Sequence, residues 1–447
     1  MSTTVDSGGT PAGGDHPPED GSAGSTPAPV LHRAGAPRRR WEAPRIGVWL
    51  ALSRIVAGVL VAHFALVLFP HSLLHSKVGT LSTGTWTGAF DRWDAAYYTT
   101  IAAHGYPAHA PDARAFFPGY PLVVHLAYEL TGGVLSYVQV AWVVSSAAFV
   151  GAALLLAGLV GRRFGTRVAV VSTALFCWFP TSVFYLAPYS EALFALEILA
   201  VAALIQRGRW WWAALVTGYA TATSPEAVVL TATLVVAALI ARRGIWRTVA
   251  YALIGSFGVA GYMAFLGTRF GTPFAFTQVQ TDFHRIVVFP FSGLVQNIGA
   301  IYQVLVAHRP DVAVLPNLSS DVLWSNIAWM WFVNDVALVS AVVALVVLVV
   351  RVVVDHRDRR PMGSRVPTHW LVVLAGLILI PSATVIHQGG YVSTESAARL
   401  VGVAFPLYLG LALLVRRRPV PLIIGLGLSV GAALVVQVLF NLGYWVT

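Results

Sequence analysis

The stretch VALVSAVVALVVLVVRVVVDHRDRR, residues 336–360, decides the class of fold. Its first nineteen residues carry a single charge, at Arg351, and a dense group of charges follows at once. A helix needs about 20 apolar residues to cross the hydrocarbon core of a bilayer, and an arginine-rich flank is typical of a cytoplasmic end. The stretch therefore predicts a membrane-spanning helix that ends in the cytoplasm.

The composition of the whole chain agrees with this prediction. Of its 447 residues, 57% are hydrophobic and 11% are charged, whereas soluble domains carry about 25% charged residues. The net charge of +10 comes from arginine clusters between apolar runs, which is a topology signal and gives no reason to expect a nucleic-acid partner. The single cysteine, Cys177, supports neither an internal disulfide nor a cysteine metal site.

Eleven apolar runs predict an all-α polytopic protein of the cell membrane with about eleven spans. They are 46–69, 134–160, 168–187, 190–206, 210–223, 226–241, 246–267, 333–354, 369–387, 398–415 and 419–444. With the N-terminus in the cytoplasm, the arginine clusters fall in every second loop. The two long loops, 70–133 and 268–332, then face the outside.

The chain is predicted to have two parts. Residues 1–45 are rich in Gly, Ser, Thr and Pro and poor in apolar residues, so they are predicted to be a disordered cytoplasmic tail. Residues 46–447 form the transmembrane domain that carries both long outer loops.

The first outer loop contains FDRWDAAYYTTIAAHGYP, residues 90–107. Read as a helix, this segment places Trp93, Tyr97 and Ile101 on one stripe that suits a membrane interface. The neighbouring face carries Asp94 and therefore presents a carboxylate on the predicted outer side.

A purely structural interpretation of the same segment is also open. Asp91 would be an N-cap and Asp94 the acidic residue at N3, a variant of the capping box that starts a helix.

The motifs resemble, in order, those of the PIG-V type mannosyltransferases, which are polytopic glycosyltransferases of the GT-C superfamily that use lipid-phosphate sugar donors. Arg-Trp-Asp-Ala stands at 92–95, Ile-Ala-x-x-Gly-Tyr at 101–106 and Phe-Phe-Pro-x-x-Pro at 116–121. Weaker similarities follow at 188–194, at 271–285 and at 398–407. One departure stands at 223–227, where Thr-Ser-Pro-Glu-Ala replaces the family's arginine and glycine.

This resemblance implies a GT-C-like helical bundle with helical outer loops. It also implies that mannose passes from polyprenyl-phosphate mannose to an acceptor hydroxyl at the outer face, with inversion. Such a transfer needs a carboxylate that takes the acceptor proton and a cation that stabilises the departing phosphate. Asp94 suits the first role, and Asp91 is the second candidate.

Ten residues are predicted to bind donor or acceptor. They are Arg92, Trp93, Tyr97, Tyr98, His104, Tyr189, Glu191, Gln280, Arg285 and Arg399. Arg399 is favoured for the donor phosphate, because an arginine at the start of a span can form bidentate contacts at headgroup depth; its structural alternative is a snorkelling anchor. Glu191 has an alternative role in the first helical turn after an N-cap at Ser190.

No cofactor is predicted, although a divalent metal is not excluded. The expected partners are the polyprenyl-phosphate sugar donor, membrane lipids and an acceptor that is a lipid, a glycan or a protein, with no nucleic acid. Two alternatives stay open: a non-catalytic lipid-binding relative and a transporter of a lipid-linked sugar. A transporter would carry ionisable residues within its spans, where Arg54 and Glu197 are nearly the only candidates.

Overall fold

The structure is a computed structural model that describes residues 53–62, 65, 90–305, 321–388, 391–394, 396–441 and 446. The predicted disordered tail lies outside these residues. Within them the chain is predominantly helical, so the predicted helical class is confirmed.

Seventeen α-helices, four short 3-10 helices and three short strands make up the described elements. The helices are α1 (Ser53–Ala62), α2 (Asp94–His104), α3 (Gly119–Leu130), α4 (Tyr137–Phe164), α5 (Thr166–Cys177), α6 (Glu191–Gln206), α7 (Trp210–Thr223), α8 (Val228–Ile240), α9 (Ile245–Gly255), α10 (Phe257–Phe270), α11 (Ala275–Asp282), α12 (Ser292–Leu305), α13 (Asp321–Arg357), α14 (Thr368–Ala383), α15 (Ala397–Gly402), α16 (Phe405–Val415) and α17 (Pro419–Asn441). The strands are β1 (Arg285–Val287), β2 (Thr384–Gln388) and β3 (Tyr391–Ser393).

Four helical segments in the described part of the chain are long and apolar enough to cross a membrane. They are Tyr137–Phe164, Trp329–Arg357, Met362–Ala383 and Pro419–Asn441. The pair α9 and α10, bent by 46°, adds a fifth if it forms one span. The predicted count of eleven is not confirmed, because α5 to α8 and α16 have only 11 to 16 residues, fewer than the roughly 20 of a straight span.

Three predicted spans end earlier or are broken. The span predicted at 168–187 stops being α-helical at Cys177, and the span predicted at 369–387 turns into β2 after Ala383. The span predicted at 398–415 is divided into α15 and α16 because Pro406 has no backbone N–H and stands in the first turn of a new helix.

The core lies between α4, α5, α6, α13 and α16, which pack on one another. Aromatic side chains fill it, among them the buried Phe149, Phe176 and Tyr408. Small residues let two of the helices approach closely, because a Cβ placed on Gly410 of α16 would come within 2.7 Å of Ala344 on α13.

A small antiparallel sheet, not predicted from the sequence, joins two distant parts of the chain. Its order is β1-β2-β3, with Arg285 opposite Ile386 and Ile386 opposite Ser393. The sheet brings the second predicted outer loop next to the segment that precedes α15.

Candidate active site

The helix α2 begins at Asp94. Its N-cap is Trp93, with φ 54° and ψ −118°, and no side chain caps the helix. The capping-box interpretation is therefore wrong, because Asp94 is the first helical residue rather than the third and Asp91 is not the N-cap. A non-glycine residue at such a φ costs about 1–3 kcal/mol and persists only where its surroundings fix it. One such contact is the Tyr189 hydroxyl, which donates to the Arg92 carbonyl at 3.0 Å.

The Asp94 carboxylate is bound by an arginine 305 positions away in the sequence. Arg399 Nη1 donates to Asp94 Oδ2 at 3.0 Å, and Arg399 Nε donates to Glu191 Oε1 at 2.7 Å, with Nη2 reaching the same Glu191 oxygen. The side chain of Asp94 is 20% exposed, and those of Arg399 and Glu191 are 11% and 9% exposed. One guanidinium is thus shared between two carboxylates, which leaves the group with a net formal charge of −1.

Two aromatic rings lie against the guanidinium of Arg399. The Cζ atom of Arg399 lies 4.6 Å from the ring centre of Phe184 and 5.0 Å from that of Tyr189. A cation over an aromatic face is attracted by the quadrupole of the ring, more strongly where water is excluded. Arg399 is therefore fixed from several sides, which is more than its snorkelling alternative requires.

Ser190 and Tyr98 join α6 to α2 beside this group. Ser190 is the N-cap of α6 but forms no side-chain capping bond; its Oγ shares a hydrogen bond with the Tyr98 hydroxyl at 2.9 Å. Burial raises the pKa of the Tyr98 hydroxyl well above its ordinary value, and the charge of Glu191 adds to the effect, so the hydroxyl stays protonated. Glu191 lies in the first turn of α6, as the helix-capping alternative predicts. Its carboxylate nevertheless binds Arg399.

The second outer loop also reaches the start of α15. Arg285 Nη2 donates to Ser396 Oγ at 3.3 Å, and Ser396 is the left-handed N-cap of α15, with φ 66°. From α13, Asn334 Oδ1 accepts the Ala398 N–H at 2.8 Å, next to Arg399. Sequence reasoning missed Asn334, although a polar residue at the start of an otherwise apolar run was a signal that could have identified it.

Arg92 carries unused hydrogen-bonding capacity. Its side chain is partly buried, and its Nε and Nη2 groups have no hydrogen-bond partner within the described part of the chain. An arginine with unpaired donors, two residues before Asp94, is a cation that a ligand can still engage.

The other predicted residues lie outside the contacts of Arg399. Tyr97 stacks on Phe116 at 4.6 Å between ring centroids, and Gln280 is partly buried on α11. His104 ends α2, ten residues and about 15 Å along the helix axis from Asp94. Asp91 is exposed and forms no ion pair with any described residue; partial desolvation raises the pKa of its carboxyl, and the Arg92 charge opposes that shift.

A metal site is not evident from the side chains in the ranges given above. Among those described residues, no group of three or more His, Cys, Asp or Glu side chains lies in an arrangement that could hold a metal ion.

Fold and site together define a polytopic helical membrane protein with a partly buried carboxylate–guanidinium centre where α2, α6 and α15 begin. Residues 50–243 match the model of the family described as mannosyltransferase (PIG-V). The resemblance predicted from the motifs is therefore confirmed over this part of the chain.

Curated relatives agree with that match. The chain is 32% identical over 190 residues to GPI alpha-1,6-mannosyltransferase 2 of Homo sapiens, which covers 40% of this chain and 38% of that protein. It is 36% identical over 133 residues to the enzyme of the same name from Rattus norvegicus, covering 28% and 26%. The chain thus spans well under half the length of the curated relatives it matches.

The solved structures to which the chain is similar include ArnT from Cupriavidus metallidurans bound to undecaprenyl phosphate. Its TM-score is 0.45 at 15% sequence identity, and the similarity covers 89% of this chain and 76% of that one.

Proposed function

We propose that this protein is a membrane mannosyltransferase that moves mannose from polyprenyl-phosphate mannose to an acceptor hydroxyl at the outer membrane face. The proposal includes a GT-C-like arrangement of about eleven spans, a cytoplasmic N-terminus and inversion at the anomeric carbon. The observation that carries it is the Asp94–Arg399–Glu191 group. The match of residues 50–243 to a mannosyltransferase family supports it.

Asp94 acts as the general base. Its Oδ2 is held by Arg399, while the side chain stays 20% exposed, so an acceptor hydroxyl can approach the carboxylate. As the acceptor oxygen bonds to the anomeric carbon, its proton passes to Asp94 and the bond from that carbon to the phosphate oxygen breaks. Polyprenyl phosphate leaves on the face opposite to attack, which inverts the anomeric centre.

The donor phosphate needs a cation, and we assign this role first to Arg92. Arg399 is already shared between Asp94 and Glu191, and the net negative charge of that group disfavours a further anion. Two side-chain nitrogens of Arg92 have no hydrogen-bond partner among the described residues, and charge-assisted hydrogen bonds to phosphate are strong. Arg399 then positions the base, and its predicted phosphate contact stays a prediction, as does that of Arg285. Arg92 would also take the place of the arginine that the family carries near position 224.

Glu191 is assigned to a sugar or acceptor hydroxyl. Its Oε1 is bound to Arg399, but its Oε2 is buried and has no hydrogen-bond partner within the described residues. A buried carboxylate oxygen without a donor costs free energy, and a bound hydroxyl would remove that cost.

The test is a transfer assay with purified protein, radiolabelled polyprenyl-phosphate mannose and a lipid extract as acceptor. Asp94→Asn keeps the shape of the side chain but removes the base, so we expect the rate to fall by about 10²–10⁴-fold. Asp282→Asn, the same change at an exposed residue of α11, is the matched control and should leave the rate unchanged.

Three outcomes would contradict the proposal. Undiminished transfer by the Asp94→Asn variant would remove the assignment of the base. Donor binding without any transfer by the unmodified protein would favour the non-catalytic lipid-binding alternative. Movement of the intact donor across proteoliposomes without transfer would favour the transporter.

A further inference from the structure

A groove lies between α13 and α16 at the end of these helices remote from Asp94. It has a volume of about 240 Å³ and is lined by Val347, Val350, Arg351, Val354, Leu413 and Arg416. Helix α13 contacts α15 through Asn334, and Arg351 stands 17 residues further along the helix, about 25 Å at 1.5 Å per residue. The groove is therefore separate from the candidate active site.

The lining combines four apolar side chains with two arginines. On α13 the four lining residues follow a spacing of three, one and three, which places them on one face of the helix. Val350 is 55% exposed, so the apolar wall faces outward. On α16, Leu413 continues the apolar wall, and Arg416, at the C-terminal cap, closes it.

The positive charge around the groove exceeds the negative charge available to neutralise it. Arg351 and Arg360 share one carboxylate, Asp355, at 3.0 and 3.5 Å. Arg416 forms no ion pair with any described residue and is repelled by Arg351, Arg417 and Arg360. Arg360 also pairs with Asp358 at 3.6 Å. Four arginines against two aspartates leave two formal positive charges, and an anion bound among them would relieve this repulsion.

We infer that this groove binds an anionic phospholipid of the surrounding bilayer. The headgroup phosphate contacts Arg351 and Arg416, and an acyl chain lies along the valines of α13. Basic pockets between membrane helices bind anionic headgroups through this combination of charge and apolar surface. The inference does not depend on the proposed transferase activity.

The test uses purified full-length protein in a neutral detergent, to which phosphatidylglycerol and phosphatidylcholine are added at equal concentrations. Native mass spectrometry then gives the affinity for each lipid. We expect the unmodified protein to prefer phosphatidylglycerol. Arg416→Gln should weaken phosphatidylglycerol binding about fivefold, since one arginine at a membrane surface contributes about that factor.

Two further variants distinguish lipid binding in the groove from non-specific attraction to surface charge. Val350→Trp leaves every arginine in place but fills the groove, and it should also weaken phosphatidylglycerol binding. Arg207→Gln removes an exposed arginine outside the groove and should leave binding unchanged. Equal affinity for the two lipids, an equal loss with Arg207→Gln, or full binding by Val350→Trp would each overturn the inference.

Discussion

Two carboxylate–arginine centres lie beside α13, and they differ in which group is shared. Near Asn334, toward the middle of the helix, Arg399 is shared by Asp94 and Glu191. Near the end of α13, Asp355 is shared by Arg351 and Arg360. At the first centre one arginine serves two carboxylates; at the second one carboxylate serves two arginines, of which Arg360 also pairs with Asp358 at 3.6 Å.

The difference indicates different tasks. The first centre gathers residues up to 305 positions apart and leaves the Asp94 side chain 20% exposed, which suits a carboxylate that must meet a substrate. The second is local in sequence, and Asp355 is fully buried, with its Oδ2 accepting the Val366 N–H at 3.3 Å. Such a carboxylate ends a helix and holds arginines at a membrane surface, but it is closed to substrates.

The largest stability effect is expected at the first centre. Arg399→Gln leaves two largely buried carboxylates without their cation, which costs about 3–5 kcal/mol when a buried pair is broken. Thermal unfolding in detergent, together with the transfer rate, measures both consequences. The matched control is Arg269→Gln, at an exposed arginine of α10. Equal unfolding temperatures for the Arg399 and Arg269 variants would contradict the account of a buried, shared guanidinium.

A smaller effect is expected at the second centre. Asp355→Asn should cost less than the roughly 3 kcal/mol of a fully buried pair, because Arg360 is 39% exposed and water can compensate its charge. The transfer rate per folded molecule should stay within about twofold of the unmodified protein, since this carboxylate takes no part in the chemistry. If Asp355→Asn lowered the transfer rate as much as Asp94→Asn does, the two centres would not differ in function and the account would be contradicted.

The helix packing between the centres gives the smallest expected effect. Gly410→Ala places a Cβ 2.7 Å from Ala344, and overpacking of this kind costs about 1–3 kcal/mol. Gly425→Ala on α17 meets no atom within 4 Å and should be neutral or stabilise by up to about 1 kcal/mol. Unfolding midpoints compare the two variants, and an equal response would show that α13 and α16 do not need this close approach.

Much of the helical class was predictable from the sequence, because apolar length is a local property. The number of spans was not, since α15 and α16 form one apolar run that Pro406 divides, and the apolar run of α14 extends through Val385 and Ile386 into β2. The motifs identified the stretch around Asp94. The capping-box interpretation, however, placed the N-cap of α2 at Asp91, whereas the helix begins at Asp94. The N-cap of α2 is Trp93, with a positive φ, and a tryptophan at this position is not a capping signal in the sequence.

The pairing of Asp94 with Arg399 could not be predicted from local sequence patterns. Arg399 and Glu191 were both candidates, but only tertiary packing brings α2, α6 and α15 together at one point. Asn334, which accepts the backbone N–H beside Arg399, was missed because it is the second residue of the span predicted at 333–354 and was counted as part of that apolar run.

We propose that Arg399 acts on the reaction through Asp94, and a double-mutant cycle on the transfer rate tests this role most directly. The variants are Asp94→Asn, Arg399→Gln and their combination, with rates normalised to folded protein. Residues that act as one unit are non-additive, so the double variant should be no slower than Asp94→Asn alone. A double variant whose loss equals the product of the two single losses would contradict the account.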